Sequence, residues 1–311
     1  SQMKMMWSAD PSSRPSFADI VSHIRAARGT DASMSEDMQD LLASALGEKV
    51  EEKTGLLGLS AYHINKVVKK FMKVVKTMTT TDVLGRMKKI LKNEHTSYCN
   101  WASRQPPQIS MDPDGSPGWG QASVFVSHAW RYSFETVCEV IEAYAKEITR
   151  RANAAHHPGC VSVKGKNNKK IFKPYFWFDI FTVNQFEAAT YPQDFWTTTF
   201  KEQVRDIGHT LLILPPWDRP IPLTRAWCVW EMYCTLDTRA EMHIRQPLRD
   251  AEQLERALAK NPKETMELVA QIDAAKAEAW KESDRVMIHA AVKGSVGFDA
   301  LNAMVQKRLV E

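Results

Sequence analysis

The sequence predicts an α/β fold with a parallel sheet of four to five strands, on three observations. Short apolar runs rich in β-branched and aromatic residues alternate with stretches of helical periodicity, the order expected of a sheet with helical crossovers. The runs are almost continuously apolar, as in strands buried on both faces. The clearest run, residues 210–214 (TLLIL), ends in two prolines and is followed by a helix at residues 222–236.

The remaining elements follow from the same patterns. Strands are predicted at residues 123–127 (SVFVS), 175–180 (YFWFDI) and 241–245 (EMHIR), with helices at 134–150 and 195–207. The segment 163–173 is rich in lysine and asparagine and is predicted to be a loop. After residue 246 only helices are predicted, and they form a C-terminal helical extension at residues 248–260, 264–280, 284–293 and 298–309.

The part of the chain before residue 122 is predicted to be a helical linker region. Residues 28–59 are acidic, with one short helix at 38–46, and residues 96–121 are rich in Pro and Gly turns. Between them, residues 60–95 form a basic segment in which lysines alternate with apolar residues at helical spacing. The predicted units are 1–27, 28–59, 60–95, 96–121, 122–250 and 251–311.

Two interpretations of the basic helix at residues 60–78 stay open. A basic amphipathic helix binds acidic membranes or calmodulin-like partners. The alternative is a helix that packs on the next domain and leaves its lysines in water or paired with the acidic linker.

Composition narrows the class of protein. A net charge of +4 is too small to indicate nucleic-acid binding, and none is expected. The five cysteines are odd in number and lack CxxC spacing, which predicts reduced thiols in an intracellular, cytoplasmic protein. No apolar run approaches the ~18 residues of a membrane span, and no signal peptide is evident. His156, His157 and Cys160 do not have the spacing of a metal site, so no metal and no cofactor are expected.

The first residues resemble the C-terminal end of a protein kinase domain of the tyrosine-kinase-like group. The resemblance rests on one string of residues at the spacing seen in such kinases, namely Trp7, Asp10, Pro11, Arg14, Pro15 and Phe17. The Gly-rich loop, the ATP-binding lysine and the catalytic aspartates of a kinase are absent from the sequence, so this chain cannot phosphorylate a substrate. The resemblance implies a remnant cut from a longer kinase-containing protein.

Residues from about 122 to 245 resemble a divergent Toll/interleukin receptor (TIR) domain. The segment 124–130 (VFVSHAW) is similar to the first TIR motif, and 176–185 (FWFDIFTVNQ) is similar to the second strand and its following loop. The segment 223–232 (LTRAWCVWEM) resembles the Ser-x-Trp-Cys-x-x-Glu-Leu signature, with Trp227, Cys228 and Glu231 at matching offsets.

The TIR resemblance implies a flavodoxin-like sheet, a self-associating signalling module and, in some members, cleavage of NAD between nicotinamide and ribose. Glu231 matches the catalytic glutamate of those enzymes. A fixed carboxylate stabilises the positive charge that develops on the ribose as the glycosidic bond breaks. The substrate-binding residues implied for NAD are Ser127, His128, Trp130, Asp179 and Trp227.

A non-catalytic interaction or scaffold module of a larger kinase-containing protein is the alternative, because a fold does not determine a function. The glutamate at its expected offset favours an enzyme. The loop at residues 181–191, which lacks a clear glycine, and the expanded segment before the third motif favour a scaffold. Each site residue also has a plainer role: Glu231 can pair with Arg225 or Arg239, Trp227 can be core, and Asp179 can cap a loop.

Overall fold

The structure is a computed structural model that describes residues 56–155, 157–188, 190–191, 195–271 and 273–310. The kinase-like start at 1–27 and the helix predicted at 38–46 lie outside the described residues. The fold is α/β, with one six-stranded mixed sheet and helices on both of its faces.

The sheet is larger than predicted and is not entirely parallel. Its spatial order is β2-β1-β6-β3-β7-β8. Strands β6, β3, β7 and β8 run parallel, as predicted, whereas β1 extends the β6 edge and is antiparallel to both of its neighbours, β6 and β2. The six strands are β1 (Leu57–Leu59), β2 (Trp119–Gln121), β3 (Val124–Ser127), β6 (Phe176–Trp177), β7 (His209–Ile213) and β8 (Glu241–Arg245).

The expectation of a purely parallel sheet of four to five strands is therefore wrong at this edge. The two additional strands have three residues each and contain Gly58 and Gly120, so they carry no apolar alternation that would indicate a strand. Both glycines are needed for the close approach of neighbouring chain. A Cβ at Gly58 would lie 2.9 Å from the backbone of Phe176, and one at Gly120 would lie 2.6 Å from the Tyr175 ring.

The segment 163–173, predicted as a loop, lies largely within a separate two-stranded antiparallel hairpin. Its strands are β4 (Val161–Lys164) and β5 (Lys170–Lys173). Their residues are mostly half-buried or exposed, so apolar periodicity could not reveal them.

Of the first eight helices that the described residues form, five occur where helical periodicity predicts them. The other three are short: Tyr98–Ser103 and Pro107–Ser110 lie in the segment predicted as turns, and Asp179–Thr182 overlaps the strand predicted at 175–180, of which only Phe176–Trp177 is a strand. The first of the eight is a π-helical turn, His63–Val68, that continues as Lys69–Phe71 (together α1). The seventh likewise combines a π-helical turn, Phe195–Thr199, with Phe200–Ile207 (together α7). The others are α2 (Thr80–Ile90), α3 (Tyr98–Ser103), α4 (Pro107–Ser110), α5 (Phe134–Ala154), α6 (Asp179–Thr182) and α8 (Ala226–Asp237).

The C-terminal extension is helical, as predicted, but its second helix is shorter than expected. Its helices are α9 (Leu248–Lys260), α10 (Pro262–Ala270), α11 (Glu282–Lys293) and α12 (Gly297–Val310). Helical periodicity runs from residue 264 to 280, yet α10 ends at Ala270 because the chain then makes contacts with distant segments. Ala274 donates its N–H to Asn302 Oδ1, and Glu278 forms a β-bridge with Arg225, immediately before α8.

The sheet separates two apolar layers. Val124 and Val126 of β3 face the layer that contains α1 and α5, while Phe125 faces the layer that contains α7, α8 and the C-terminal helices. This alternation follows from the strand period of two, and both faces are buried because helices cover both. Helix α8 is buried on nearly every side, since it lies between the sheet and α11.

The basic helix predicted at residues 60–78 is shorter in the structure, where α1 ends at Phe71, and its apolar side contributes to the domain core. Ile64, Val68 and Met72 are fully buried, and Lys69 forms a 2.6 Å ion pair with Glu135 of α5. A partner that binds the apolar side of α1 would therefore have to detach this helix from the core.

Two further observations concern the cysteines and the length and hydropathy of the helices. All five cysteines are free and buried. Among the described residues, no helix combines the length and apolar character needed to cross a membrane.

Candidate active site

The carboxyl ends of the parallel strands meet at one edge of the sheet, where the chain turns into helices. Strand β3 ends at Ser127, β6 ends at Trp177 just before α6, and β7 leads through a proline-rich turn to α8. Ligands of open α/β sheets bind beyond such carboxyl ends. A cavity of about 580 Å³ opens at this edge.

Glu231 lies in the second turn of α8, beneath the cavity. Its Oε2 accepts a 2.5 Å hydrogen bond from Ser127 Oγ at the end of β3. Glu231 as a whole is half-buried and lines the cavity. The hydrogen bond joins a residue of the first motif to the acid of the third, which are 104 positions apart in sequence.

Asp179 is the second acid of the cavity and begins α6. Its Oδ2 accepts the indole N–H of Trp130 at 2.7 Å, and its Oδ1 accepts the Ile180 backbone N–H at 2.8 Å. The carboxyl is thus fixed from two sides. Because Gln185 also donates to the Asp179 carbonyl, the loop after α6 is tied to the same residue.

The structure brings the six predicted site residues together. Five of them line the cavity: His128, Trp130, Asp179, Trp227 and Glu231. The sixth, Ser127, does not line the cavity but donates a hydrogen bond to Glu231, which does. The apolar part of the wall is mainly aromatic, with Trp130 and Trp227 both half-buried and partly open to it.

Burial raises the pKa values of both acids. Burial raises the pKa of Glu231 to about 8; the Ser127 hydrogen bond opposes this rise, the charge of Asp179 adds to it and Arg225 opposes it. Burial raises the pKa of Asp179 to about 6, against the Trp130 and Ile180 hydrogen bonds. Near pH 7, Asp179 is therefore mostly ionised and Glu231 mostly protonated, so the pair retains about one proton.

His128 and Cys228 are neutral in this environment. Burial lowers the pKa of His128 to about 3, with the positive charge of Arg225 acting in the same direction. Its Nε2 is buried and has no hydrogen-bond partner among the described residues. Burial raises the pKa of Cys228 well above its ordinary value, and its thiol donates to the His128 carbonyl. Neither residue has the character of a nucleophile.

Several cavity residues were not predicted from the sequence. Lys281, Ser283, Asp284 and Met287 come from the C-terminal extension, and Asp284 accepts the indole N–H of Trp227 at 3.2 Å. These residues are at least 50 positions from Glu231, and no motif connects them to it. From within the sheet domain, the cavity also receives Trp177, Val183, Gln185, Ala188, Tyr191, Phe200 and Arg225. Arg225 was anticipated only as an ion-pair partner of Glu231.

No family model, curated protein or solved structure matches this chain. The site must therefore be interpreted from its own chemistry. It contains two carboxyl groups with raised pKa values, two cationic side chains (Arg225 and Lys281) and an aromatic wall. Such a cavity suits a ligand with an electron-poor ring, hydroxyl groups and a separate anionic part.

Proposed function

We propose that this chain contains a divergent TIR-like domain that hydrolyses NAD at the nicotinamide–ribose bond, with Glu231 as the essential carboxylate. The observation that carries the proposal is the position of Glu231 beneath an aromatic-lined cavity, hydrogen-bonded to Ser127 and close to Asp179. Further support comes from the four parallel strands. Numbered along the chain, they have the spatial order 2-1-3-4, which agrees with a flavodoxin-like sheet.

The chemistry requires Glu231 as an anion. As the bond between ribose C1′ and the nicotinamide nitrogen breaks, its electron pair goes to the ring nitrogen, and nicotinamide leaves as a neutral molecule. Positive charge then develops on the ribose, and an adjacent carboxylate stabilises it. Water adds to C1′ and releases a proton, which the carboxylate pair can accept.

Binding of the substrate itself would ionise Glu231. In the free protein its pKa of about 8 keeps it mostly protonated near pH 7. The nicotinamide ring of NAD carries a positive charge, and an opposite charge within a few ångströms favours the ionised form of an acid. The proton would leave as the ring enters, so the anion would form when it is needed.

The other cavity residues have roles that fit this reaction. Trp130 and Trp227 offer faces for stacking on the nicotinamide ring, and each indole is oriented by a carboxylate, Asp179 or Asp284. Arg225 and Lys281 supply positive charge for the pyrophosphate of NAD.

The test is incubation of the purified chain with NAD at several protein concentrations, followed by chromatography for nicotinamide. We expect release that Glu231→Gln abolishes. The matched control is Asp237→Asn, which removes an acid from the exposed end of the same helix, where it pairs with Lys201. Release that persists in Glu231→Gln would exclude this residue as the essential carboxylate. No release from the unmodified chain at any concentration would exclude the activity.

A scaffold function is the second candidate, and one observation favours it. Trp280 is fully exposed and Val286 is more than half exposed, and both are close in sequence to the cavity residues of the C-terminal extension. Exposed aromatic side chains are enriched in protein interfaces. On this proposal the module of a kinase-containing protein associates with a second copy of itself through this surface. Light scattering of the chain and of Trp280→Ser tests it, and equal molar masses at all concentrations would contradict it.

A further inference from the structure

Two histidines and a glutamate, residue types that often bind metals, form a cluster at the opposite edge of the sheet from the cavity. His209 is the first residue of β7, and Glu241 and His243 are the first and third residues of β8. His209 pairs with Glu241 in the strand register, and His243 is two residues further along. Because side chains two residues apart share a face of a strand, all three project toward α5.

The ligand atoms of this cluster are close enough to share one ion. His209 Nδ1 lies 3.3 Å from Glu241 Oε2, and His243 Nε2 lies 3.0 Å from Glu241 Oε1. All three groups have a ligand atom within 4.8 Å of the others. Ligand atoms about 2.0–2.1 Å from a tetrahedral ion are about 3.3 Å apart, which is close to both of these nitrogen–oxygen separations.

The two ring nitrogens have no hydrogen-bond partner among the described residues, in spite of the nearby carboxylate. Only 1% of the His209 surface is exposed. A buried polar atom without a hydrogen bond lowers the stability of the folded state. An ordinary histidine–carboxylate pair would satisfy these atoms with hydrogen bonds. A shared cation would satisfy them through their lone pairs.

The His209 ring is held in place by contacts that leave its Nδ1 unused. Its Nε2 is 2.6 Å from the hydroxyl of Tyr144, a buried residue of α5, and its ring stacks on that of His243 with centroids 4.5 Å apart. Metal-binding histidines typically donate the other ring N–H to a neighbouring oxygen, which fixes the tautomer. Burial also lowers the pKa of both rings, that of His209 to about 4, so they are neutral near pH 7.

We propose that His209 Nδ1, His243 Nε2 and a Glu241 carboxylate oxygen bind one Zn²⁺ ion, which joins β7 to β8. Two imidazoles and a carboxylate are a ligand set that zinc accepts, with a water molecule in the fourth position. Glu241 is about half exposed and leaves a side open for that water. His157 is close but is not assigned as a ligand, because its Nδ1 accepts the Gly159 N–H.

Zinc binding to the chain, prepared without a histidine tag and freed of metal, tests this site. We expect one Zn²⁺ per chain by calorimetry and a higher unfolding temperature in its presence, since an ion that binds only the folded state stabilises it. His209→Ala is avoided because that residue is buried in the core. Glu241→Gln and His243→Gln remove ligands from more exposed positions, and each should weaken zinc binding by about 100-fold or more.

Two comparisons separate this site from incidental binding. His95→Gln removes an exposed histidine elsewhere and should leave zinc affinity unchanged. Tyr144→Phe keeps all three ligands and should weaken binding about 10- to 100-fold, because His209 loses its hydrogen-bond partner.

Bound Co²⁺ should give a tetrahedral visible spectrum without a thiolate-to-metal band, because no cysteine is among the ligands. The proposal fails if zinc does not raise the unfolding temperature, or if Glu241→Gln and His243→Gln bind zinc as tightly as the unmodified chain.

Discussion

Replacing Glu231 by glutamine should stabilise the folded protein and abolish the proposed NAD cleavage. The folded state raises the pKa of this carboxyl from an ordinary 4.5 to about 8, mainly through burial. The unfolded chain therefore releases the proton at a lower pH than the folded protein does. Below pH 4.5 both states hold the proton and Glu231 costs nothing, whereas above it stability is lost until the pH passes the folded pKa.

The magnitude follows from this difference in pKa. Each pKa unit corresponds to about 1.4 kcal/mol, so the cost of Glu231 at about pH 7.5 would reach about 4 kcal/mol for a fully enclosed acid. Glu231 has access to the cavity, and we expect about half of that value, about 2 kcal/mol. Glutamine removes the ionisable group and retains an oxygen that can accept the Ser127 hydrogen bond.

Urea unfolding of the unmodified chain and of Glu231→Gln at about pH 4 and pH 7.5 measures this effect. The variant should have the higher free energy of unfolding at the upper pH and an equal one at the lower pH. The control Asp237→Asn loses an exposed ion pair with Lys201 and should change stability by less than about 1 kcal/mol. A Glu231→Gln variant with no gain at the upper pH would show that the carboxyl is solvated, which would refute the burial argument.

Three further predictions concern the site and the sheet edge. The kcat/KM for NAD should rise with pH up to about 8, because free Glu231 must lose its proton, and a profile that falls over this range would contradict the assignment. Arg225→Ala should move that profile to higher pH, since the charge of Arg225 lowers the pKa of both acids; an unmoved profile would mean that the charge does not reach them. Gly58→Ala should cost about 1–3 kcal/mol by thermal or urea unfolding, because its Cβ would meet the Phe176 backbone, and a neutral effect would contradict the pairing of β1 with β6.

The elements of the sheet domain could be predicted where local patterns are strong. The predicted bounds of β8 and α9 match the structure, because short apolar alternation and long helical periodicity are properties of neighbouring residues. The convergence of Ser127, Asp179 and Glu231 was also accessible, because the carboxyl ends of parallel strands necessarily meet at one edge of the sheet. The order of strands and helices along the chain was sufficient to predict these features.

Other features of the fold and the cavity depend on how distant segments pack against each other. Local sequence patterns do not predict this packing. The short segment β2 is a strand only because it pairs with β1. Helix α11 places Asp284 at the cavity only because it packs against α8. The spacing of Glu241 and His243 was visible in the sequence, but their ring and carboxylate atoms meet His209 only through the register of β7 with β8. Local periodicity thus determined the elements and the acids at their ends. Tertiary packing decided what surrounds those acids, because contacts across dozens of residues arise only when the two faces of the sheet are buried.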